Sequence, residues 1–260
     1  MIEHTFSFLQ GIGEVTEQRL WREGILTWDD FLAAQSISFF SAEKKHFYND
    51  ILLRARQSLK AGELIFFLEN VRQREHWRLW PNFRDRAVAL DIETNGLPVS
   101  GGGYATMVGL YDGCDFRALV QGRDLTRERL EQEFSRYRYL VSFFGAGFDV
   151  PFLRESFCLH WGGLHYDICF AGKRVGLKGG LKRVEQELGI ARDESVRGFS
   201  GYDAVLLWQD YQRGNAQALE LLETYNRYDT VNLFELADLV YAKLRQQTGI
   251  DGPYVSSRSR

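Results

Sequence analysis

The segment Ala87–Pro98 of this 260-residue chain, AVALDIETNGLP, most constrains its fold. Four consecutive apolar residues (87–90) are typical of a strand that is buried on both faces of a sheet. The apolar run stops at Asp91 and Glu93. Because residues two apart on a strand point to the same face, we expect both carboxylates to emerge together at the strand's end. Adjacent carboxylates repel each other, and a bound divalent cation relieves that repulsion.

A D-x-E triplet also arises by chance in a chain with 35 Asp and Glu residues, so the metal interpretation depends on other acids. The composition, with 45% hydrophobic residues, is that of a globular protein. It offers no run of roughly 18 uncharged apolar residues for a membrane span and no signal-peptide pattern. Three scattered cysteines favour reduced thiols, so we expect a cytoplasmic protein with no membrane partner. A net charge of -3 means that nucleic acid, if bound, is bound by local patches.

Residues 1–80 show helical patterns and predict a small all-α domain. Gly11-Ile12-Gly13 precedes the first pattern and resembles a helix-hairpin-helix element, whose glycine turn offers backbone N–H groups to phosphates. Gly11 and Gly13 are therefore candidate substrate-binding residues. The alternative is that they only make a tight turn between packed elements.

Residues 72–86 combine arginines with Trp77, Trp80 and Phe83. Such a mixture suits single-stranded nucleic acid, because bases stack on aromatic rings and guanidinium groups meet phosphates. We favour a linker whose tryptophans dock one domain on another, because no recognisable base-binding motif accompanies them.

From residue 85 to about 245 the pattern is mixed α/β. We predict strands over 104–111 and 116–120, a helix over 125–134 and a strand over 139–144. Asp149 follows the last of these strands at the start of a helix. Tyr225 and Asp229 lie four residues apart in a predicted helix (216–245) and therefore share one helical face. Residues 246–260 are expected to form a flexible tail.

Four acids and a tyrosine thus occur in the order Asp91, Glu93, Asp149, Tyr225 and Asp229. With three strands, a helix and a fourth strand, this order resembles the DEDD exonucleases, the ribonuclease H-like 3′–5′ exonuclease superfamily that includes polymerase proofreading domains. The segments DIETNGL, LKRVE and YNRYDTVNL look closest to the predicted exonucleases of the YprB-like group. A tyrosine four residues before the last acid resembles the tyrosine branch (DEDDy) of the superfamily.

The resemblance implies an α/β fold, a ribonuclease H-like mixed β-sheet flanked by helices, preceded by the small all-α domain. It also implies that the four acids hold two metal ions, and oxygen ligands select Mg²⁺ or Mn²⁺. Tyr225 would orient the attacking water, since a phenol with a pKa near 10 is a poor base at neutral pH. Thr94 and Leu97 would contact the terminal nucleotide.

Further substrate contacts are expected from Phe148, beside Asp149, and from a glycine-rich basic loop that carries Lys178 and leads to Lys182. The same loop could instead be an ordinary solvated surface. Gly145 departs from the family pattern, because many members carry an asparagine at that position.

The predicted function is metal-dependent 3′–5′ exonucleolytic hydrolysis of nucleic acid, with single-stranded DNA favoured over RNA. The alternative is a catalytically silent or structure-specific nucleic-acid-binding protein on a nuclease fold. The presence of all four acids favours the enzyme.

Overall fold

The computed structural model describes residues 1–252, which group into two compact units. One unit is built from residues 1–83 together with residues 241–252, and the other from residues 84–240. This division differs from the predicted boundaries, because the end of the last helix, up to Thr248, groups with the N-terminal segment. Of the predicted tail, residues 253–260 lie outside the described residues, whereas residues 246–248 are helical.

The N-terminal segment is helical, as predicted. Two of its helices begin at side-chain caps: the Thr27 hydroxyl accepts from the Asp30 amide (3.1 Å) and the Ser41 hydroxyl from the Lys44 amide (3.2 Å). Short 3-10 turns cover Ile2–His4 and Gln73–Leu79. The helices are α1 (Glu14–Arg22), α2 (Trp28–Ala33), α3 (Ala42–Ala61), α4 (Ile65–Asn70) and α5 (Trp80–Phe83).

A buried ion-pair cluster ties the start of this segment to its end. Glu17 of α1 accepts from the Phe6 and Ser7 amides (2.6 and 3.1 Å), and its other oxygen meets Arg78 at 3.2 Å. Arg78 also donates to Glu75 at 2.8 Å. Because removing one member of such a cluster leaves a buried charge uncompensated, each member supports the local fold.

Trp77 and Trp80 are each only 1% exposed. They therefore cannot stack on bases, and this excludes the base-stacking interpretation of residues 72–86 for the tryptophans. The boundary between the two units, Phe83/Arg84, falls inside the same segment.

The second unit contains a five-stranded sheet in the order β3-β2-β1-β4-β5 among the described residues. Strands β1, β2 and β3 pair antiparallel in sequence order, whereas β4 lies parallel to β1 and β5 parallel to β4. The strands are β1 (Ala87–Thr94), β2 (Ala105–Tyr111), β3 (Phe116–Val120), β4 (Tyr139–Ser142) and β5 (Leu164–Asp167).

Helices cover both faces of this sheet. On one face, Val88 and Leu90 of β1 belong to a core with helices α6 (Arg127–Ser135) and α7 (Asp149–Phe157). On the other, Met107 of β2 packs with residues of α10 and α11. Additional 3-10 turns lie at Arg84–Arg86, Val99–Gly101 and Glu194–Val196. The helices are α6 (Arg127–Ser135), α7 (Asp149–Phe157), α8 (Ile168–Arg174), α9 (Leu181–Leu188), α10 (Gly201–Gln212) and α11 (Ala216–Thr248). This architecture confirms the predicted fold class.

Strand β1 extends past its apolar run, and Asp91 and Glu93 lie in its last four residues. Its parallel pairing with β4 stops at Ala89, while its antiparallel pairing with β2 continues to Thr94. The last part of β1 therefore has one edge free of strand partners in the described sheet, and the acids lie on that part. Backbone pairing with β2 extended the strand beyond its apolar run.

Helix α11 approaches the sheet closely at Gly109, the partner of Asp91 on β2. A methyl group at Gly109 would lie closer than 3.0 Å to the side-chain oxygens of Asn226 and Thr230. Only glycine leaves room for these two polar side chains of α11, so Gly109 sets the distance between helix and sheet.

We predict that Gly109→Ala destabilises the protein by about 1–3 kcal/mol, the usual range for overpacking, because α11 must move away from the sheet. Urea unfolding followed by circular dichroism measures the change. Gly162→Ala is the matched control, since a methyl group there meets nothing within 4 Å. Equal stability of Gly109→Ala and Gly162→Ala would contradict the close approach as a constraint.

Candidate active site

Three carboxylates converge above the open part of β1. Ligand oxygens of Asp91, Glu93 and Asp229 lie within 4.8 Å of one another. Asp91 and Glu93 share one face of β1 because they are two residues apart, and Asp229 reaches that face from α11. The structure thus brings together residues that are up to 138 positions apart in the sequence.

Asp149, at the first position of α7, lines the same cleft as these three residues. Its Oδ1 accepts from the Ile92 amide at 3.1 Å. That N–H belongs to the part of β1 beyond its pairing with β4, so a carboxylate takes the place of a strand partner. This hydrogen bond fixes the first turn of α7 beside Asp91 and Glu93.

Asn226, which sequence reasoning left without a role, holds Asp91 in place. Its Nδ2 donates to Asp91 Oδ2 at 2.9 Å. Asn226 and Thr230 follow Tyr225 and Asp229 by one residue each, so the two pairs form neighbouring stripes on α11. The sequence did contain an indication of this role, because Asn226 and Thr230 are polar and have the same four-residue spacing as Tyr225 and Asp229.

Burial and the closeness of the acids raise the pKa of three of them. Burial raises the pKa of Asp91 well above its usual range, and the charges of Asp229 and Glu93 add to that effect. Burial and the charge of Asp229 likewise raise the pKa of Glu93. The pKa of Asp149 rises to about 7, chiefly because burial disfavours the charged form. Groups of like charge held this close favour a bound cation, which would return all of them to the ionised form.

The side chains fit a divalent metal site. Glu93 Oε1 is buried and has no hydrogen-bond partner among the described residues. A buried acceptor without a partner is costly, and a cation supplies what it lacks. The donor set consists of carboxylate oxygens alone, which suits Mg²⁺ or Mn²⁺ rather than zinc.

Tyr225 lines the cleft one helical turn before Asp229, and its hydroxyl accepts a hydrogen bond from the Lys182 ammonium group of α9. Burial raises the pKa of Tyr225 far above its ordinary value, and the charges of Asp229, Glu93 and Asp91 raise it further. The phenol therefore stays protonated and can donate a hydrogen bond, but cannot serve as a base at neutral pH.

A second group of buried charged residues contacts Asp229, and sequence reasoning did not identify it either. Arg192 forms an ion pair with Asp229 and donates to Glu185 at 2.6 Å. Glu185 also accepts from Asn232 at 2.9 Å. Arg192 lies in a segment without helical or strand periodicity, so no pattern marked it.

The acids open into a cleft of about 790 Å³. Of the predicted substrate-binding residues, Thr94, Leu97 and Phe148 line this cleft. Lys182 lies behind Tyr225, whereas Lys178 is exposed before α9 and does not line the described cleft. Gly11 and Gly13 belong to the other unit. The exposed ring of Phe144 also lines the cleft.

The loop before α7 explains the departure at Gly145. A methyl group there would lie closer than 3.0 Å to Ser142, whose hydroxyl is itself hydrogen-bonded to buried His165 at 2.7 Å. An asparagine at this position would therefore require Ser142 to move. Asp167 fixes the loop by accepting from the Phe144 and Ala146 amides at 3.0 and 2.9 Å, besides capping α8.

Comparison with known families agrees with this geometry. A model of the RNase H superfamily matches residues 88–241, more than half of the chain. The chain belongs to the RNase H superfamily. No curated protein and no solved structure matches it.

This membership confirms the predicted RNase H-like fold and suggests nuclease-type hydrolysis of nucleic acid. Nucleases of this superfamily typically use divalent metals, and the cluster of Asp91, Glu93 and Asp229 provides ligands for them. Among the described residues, each helix is too short or too polar to cross a membrane.

We predict that Asp149→Asn weakens the pH dependence of stability in the metal-free protein. The pKa of Asp149 in the folded state (about 7) exceeds the unfolded value of about 3.9. The folded state therefore binds more protons in this window, and wild-type stability should rise as the pH falls from about 8 to about 5. Asparagine keeps the acceptor for the Ile92 amide but removes the charge.

Urea unfolding in EDTA across this pH range measures the effect. Asp50→Asn, an exposed residue on α3, serves as the control and should follow wild type. Identical pH profiles for Asp149→Asn and wild type would contradict the proposed crowding of charges.

Proposed function

We propose that this protein is a metal-dependent 3′–5′ exonuclease of the tyrosine branch. The observation that carries the proposal is the convergence of three carboxylates with the Tyr225 hydroxyl in one cleft. Membership of the RNase H superfamily supports phosphodiester hydrolysis as the reaction class.

Asp91, Glu93, Asp149 and Asp229 would hold two Mg²⁺ or Mn²⁺ ions. Such ions lower the pKa of bound water and stabilise negative charge on the attacking and leaving oxygens of a phosphodiester. Asn226 restrains the Asp91 carboxylate, and the Ile92 amide restrains Asp149. These contacts reduce the reorganisation that a metal site needs before catalysis.

Tyr225 would orient the water that attacks phosphorus. Its raised pKa keeps the proton on the phenol, so the hydroxyl donates while the water keeps a lone pair for attack. Lys182, on the other side of this hydroxyl, is a hydrogen-bond donor and restrains its direction.

The rim of the cleft favours an unpaired end over a duplex. Leu97, Phe144 and Phe148 are between 43% and 50% exposed and line the cleft beside the acids. Such side chains can stack on or wedge against unpaired bases, whereas bases in a duplex are already stacked. Phe144 has a positive φ of 66°, a costly conformation that is found most often at functional sites.

Digestion of matched DNA and RNA strands, labelled at the 5′ or 3′ end, tests the proposal. With Mg²⁺ or Mn²⁺, we expect a 5′-labelled single strand to shorten one nucleotide at a time, and EDTA to abolish the reaction. Discrete internal cuts would instead indicate a structure-specific endonuclease. Tight binding without cleavage would indicate the catalytically silent alternative.

We predict that Tyr225→Phe lowers turnover by about 10-fold or more, the scale of losing a positioning group, while Mn²⁺ affinity changes little. Asp229→Asn should weaken Mn²⁺ binding as well, because it removes a carboxylate ligand. Single-turnover kinetics and calorimetric Mn²⁺ titration separate the two effects. Tyr211→Phe on α10 is the control for loss of a phenol. Wild-type turnover in Tyr225→Phe would remove this residue from the mechanism.

We further propose that residues 1–80 add affinity through phosphate contacts at the Gly11–Gly13 turn. Gly13 is the N-cap of α1, and Lys44 approaches Gly11, with 3.8 Å between its Nζ and a methyl group built there. Backbone amides at a helix start, together with a lysine, can hold a backbone phosphate without reading sequence.

Lys44→Ala should therefore weaken binding of single-stranded DNA severalfold at low salt. The loss should be smaller at high salt, because the variant releases fewer counterions than wild type and its affinity depends less on salt. The turnover number should stay unchanged. Lys60→Ala, near the end of α3, is the control for removal of one lysine. If the two variants bind equally well at low salt, this turn is better interpreted as a docking site for protein.

A further inference from the structure

A second cavity lies next to the acids, in the segment from α9 to the residues before α10. Its volume is about 330 Å³, and Lys182, Glu185, Arg192 and Arg197 are among the residues that line it. Two of these side chains also touch the candidate active site, because Lys182 meets Tyr225 and Arg192 meets Asp229. The cavity is therefore lined by two cations that contact residues of the candidate active site.

The guanidinium group of Arg192 has a nitrogen, Nη2, that donates to no acceptor among the described residues. Its side chain is 8% exposed, with Nε bound to Glu185 and Nη1 paired with Asp229. Nη2 is buried and has no hydrogen-bond partner among residues 1–252. An arginine does not lose its proton in a protein, so this buried donor calls for an acceptor.

The remaining charges of the cavity are also positive. Glu185 is already satisfied, since it accepts from both Arg192 and Asn232. Lys182 and Arg197 add two cations to the lining. A neutral or cationic ligand would leave Nη2 of Arg192 without an acceptor, whereas an anion with several acceptor oxygens would supply one and also attract Lys182 and Arg197.

We propose that this cavity is a phosphate-binding subsite, in which Arg192 Nη2, Lys182 and Arg197 bind the oxygens of one phosphate group. The volume of about 330 Å³ exceeds that of a few waters, at roughly 30 Å³ each, and admits a phosphate with part of its nucleoside or hydration shell. The phosphate belongs either to the nucleic-acid backbone or to a released nucleoside monophosphate. This choice of ligand rests on the proposed nuclease function.

Arg192 then connects two sites. One nitrogen pairs with Asp229, and in the proposed subsite Nη2 of the same guanidinium group would bind the phosphate. This placement screens the phosphate from the negative charge of the acids. Glu185 acts as a positioning residue, because it fixes the plane of the guanidinium group through Nε.

Binding to the full chain in EDTA tests the subsite without any need for cleavage. The probes are inorganic phosphate, thymidine 5′-monophosphate and a ten-residue oligothymidylate, each titrated by calorimetry and by the shift of the thermal unfolding midpoint. We expect inorganic phosphate to bind wild type and to stabilise it. Arg197→Gln and Arg192→Gln should each weaken binding about 10-fold, the scale of one charge-assisted hydrogen bond.

Arg213→Gln is the matched control, because this exposed arginine follows α10 and pairs only with Asp210 among the contacts of the described residues. Arg197 is exposed and paired only weakly with Glu194 (3.6 Å), so its variant stays informative even if Arg192→Gln fails to fold. Weaker binding of oligothymidylate in both pocket variants assigns the subsite to a backbone phosphate. Weaker binding of the monophosphate alone assigns it to the product.

Either of two results would overturn the proposal: no binding of phosphate to wild type, or equal binding by wild type, Arg197→Gln and Arg213→Gln. Because the measurement contains no metal and no cleavage, it can succeed where exonuclease activity is absent. Conversely, activity in Mn²⁺ without phosphate binding in EDTA would reject the subsite and leave the proposed function standing.

Discussion

Repulsion among buried carboxylates is the interaction on which the second unit of this protein depends. Asp91, Glu93 and Asp229 hold oxygens within 4.8 Å of one another, an arrangement that is costly without neutralising partners. The surrounding structure supplies these partners through the Asn226 amide and the Arg192 guanidinium group. Such an arrangement weakens the metal-free fold, and it is retained where a ligand repays the cost.

Two backbone features keep the acids together. The last part of β1 lacks a strand partner on the β4 side, which leaves the Ile92 amide to bind Asp149. Gly109 lets α11 approach the sheet until Asn226 reaches Asp91. Neither the open edge of β1 nor Gly109 is itself a candidate metal ligand, yet both decide where the candidate ligands lie. The geometry of the site is therefore a property of the sheet and of the packing of one helix.

These two features also explain how much could be predicted from sequence. The mixed sheet flanked by helices was predictable because apolar runs and helical periodicity act over a few residues. The full length of β1 was not, because pairing with β2 depends on residues that are distant in sequence. Arg192 was missed for the same reason, since its partners Glu185 and Asp229 become neighbours only in the fold.

Lys178 shows what composition alone does not determine, namely which basic side chains of a segment lie near the cleft. Lys178 and Lys182 belong to one basic segment of the sequence, but Lys178 is exposed before α9 and does not line the described cleft, whereas Lys182 donates to the Tyr225 hydroxyl. Gly145 was recorded as a departure from a family pattern, and its cause became visible in the close approach of Ser142. Residue type alone predicted which chemistry is available; contacts decided which residues can take part in it.

Charge couples the binding of metal to the binding of substrate in the proposed reaction. The chain carries a net charge of -3, and five acids line its cleft, so ionised carboxylates there oppose the approach of a polyanionic substrate. A cation bound by the acids reverses this field, and substrate phosphates in turn strengthen the binding of the cation. Because coupling between two ligands is reciprocal, the proposed function implies that metal affinity and nucleic-acid affinity rise together. Arg192 and Lys182, already placed beside the acids, extend the positive field in the same direction.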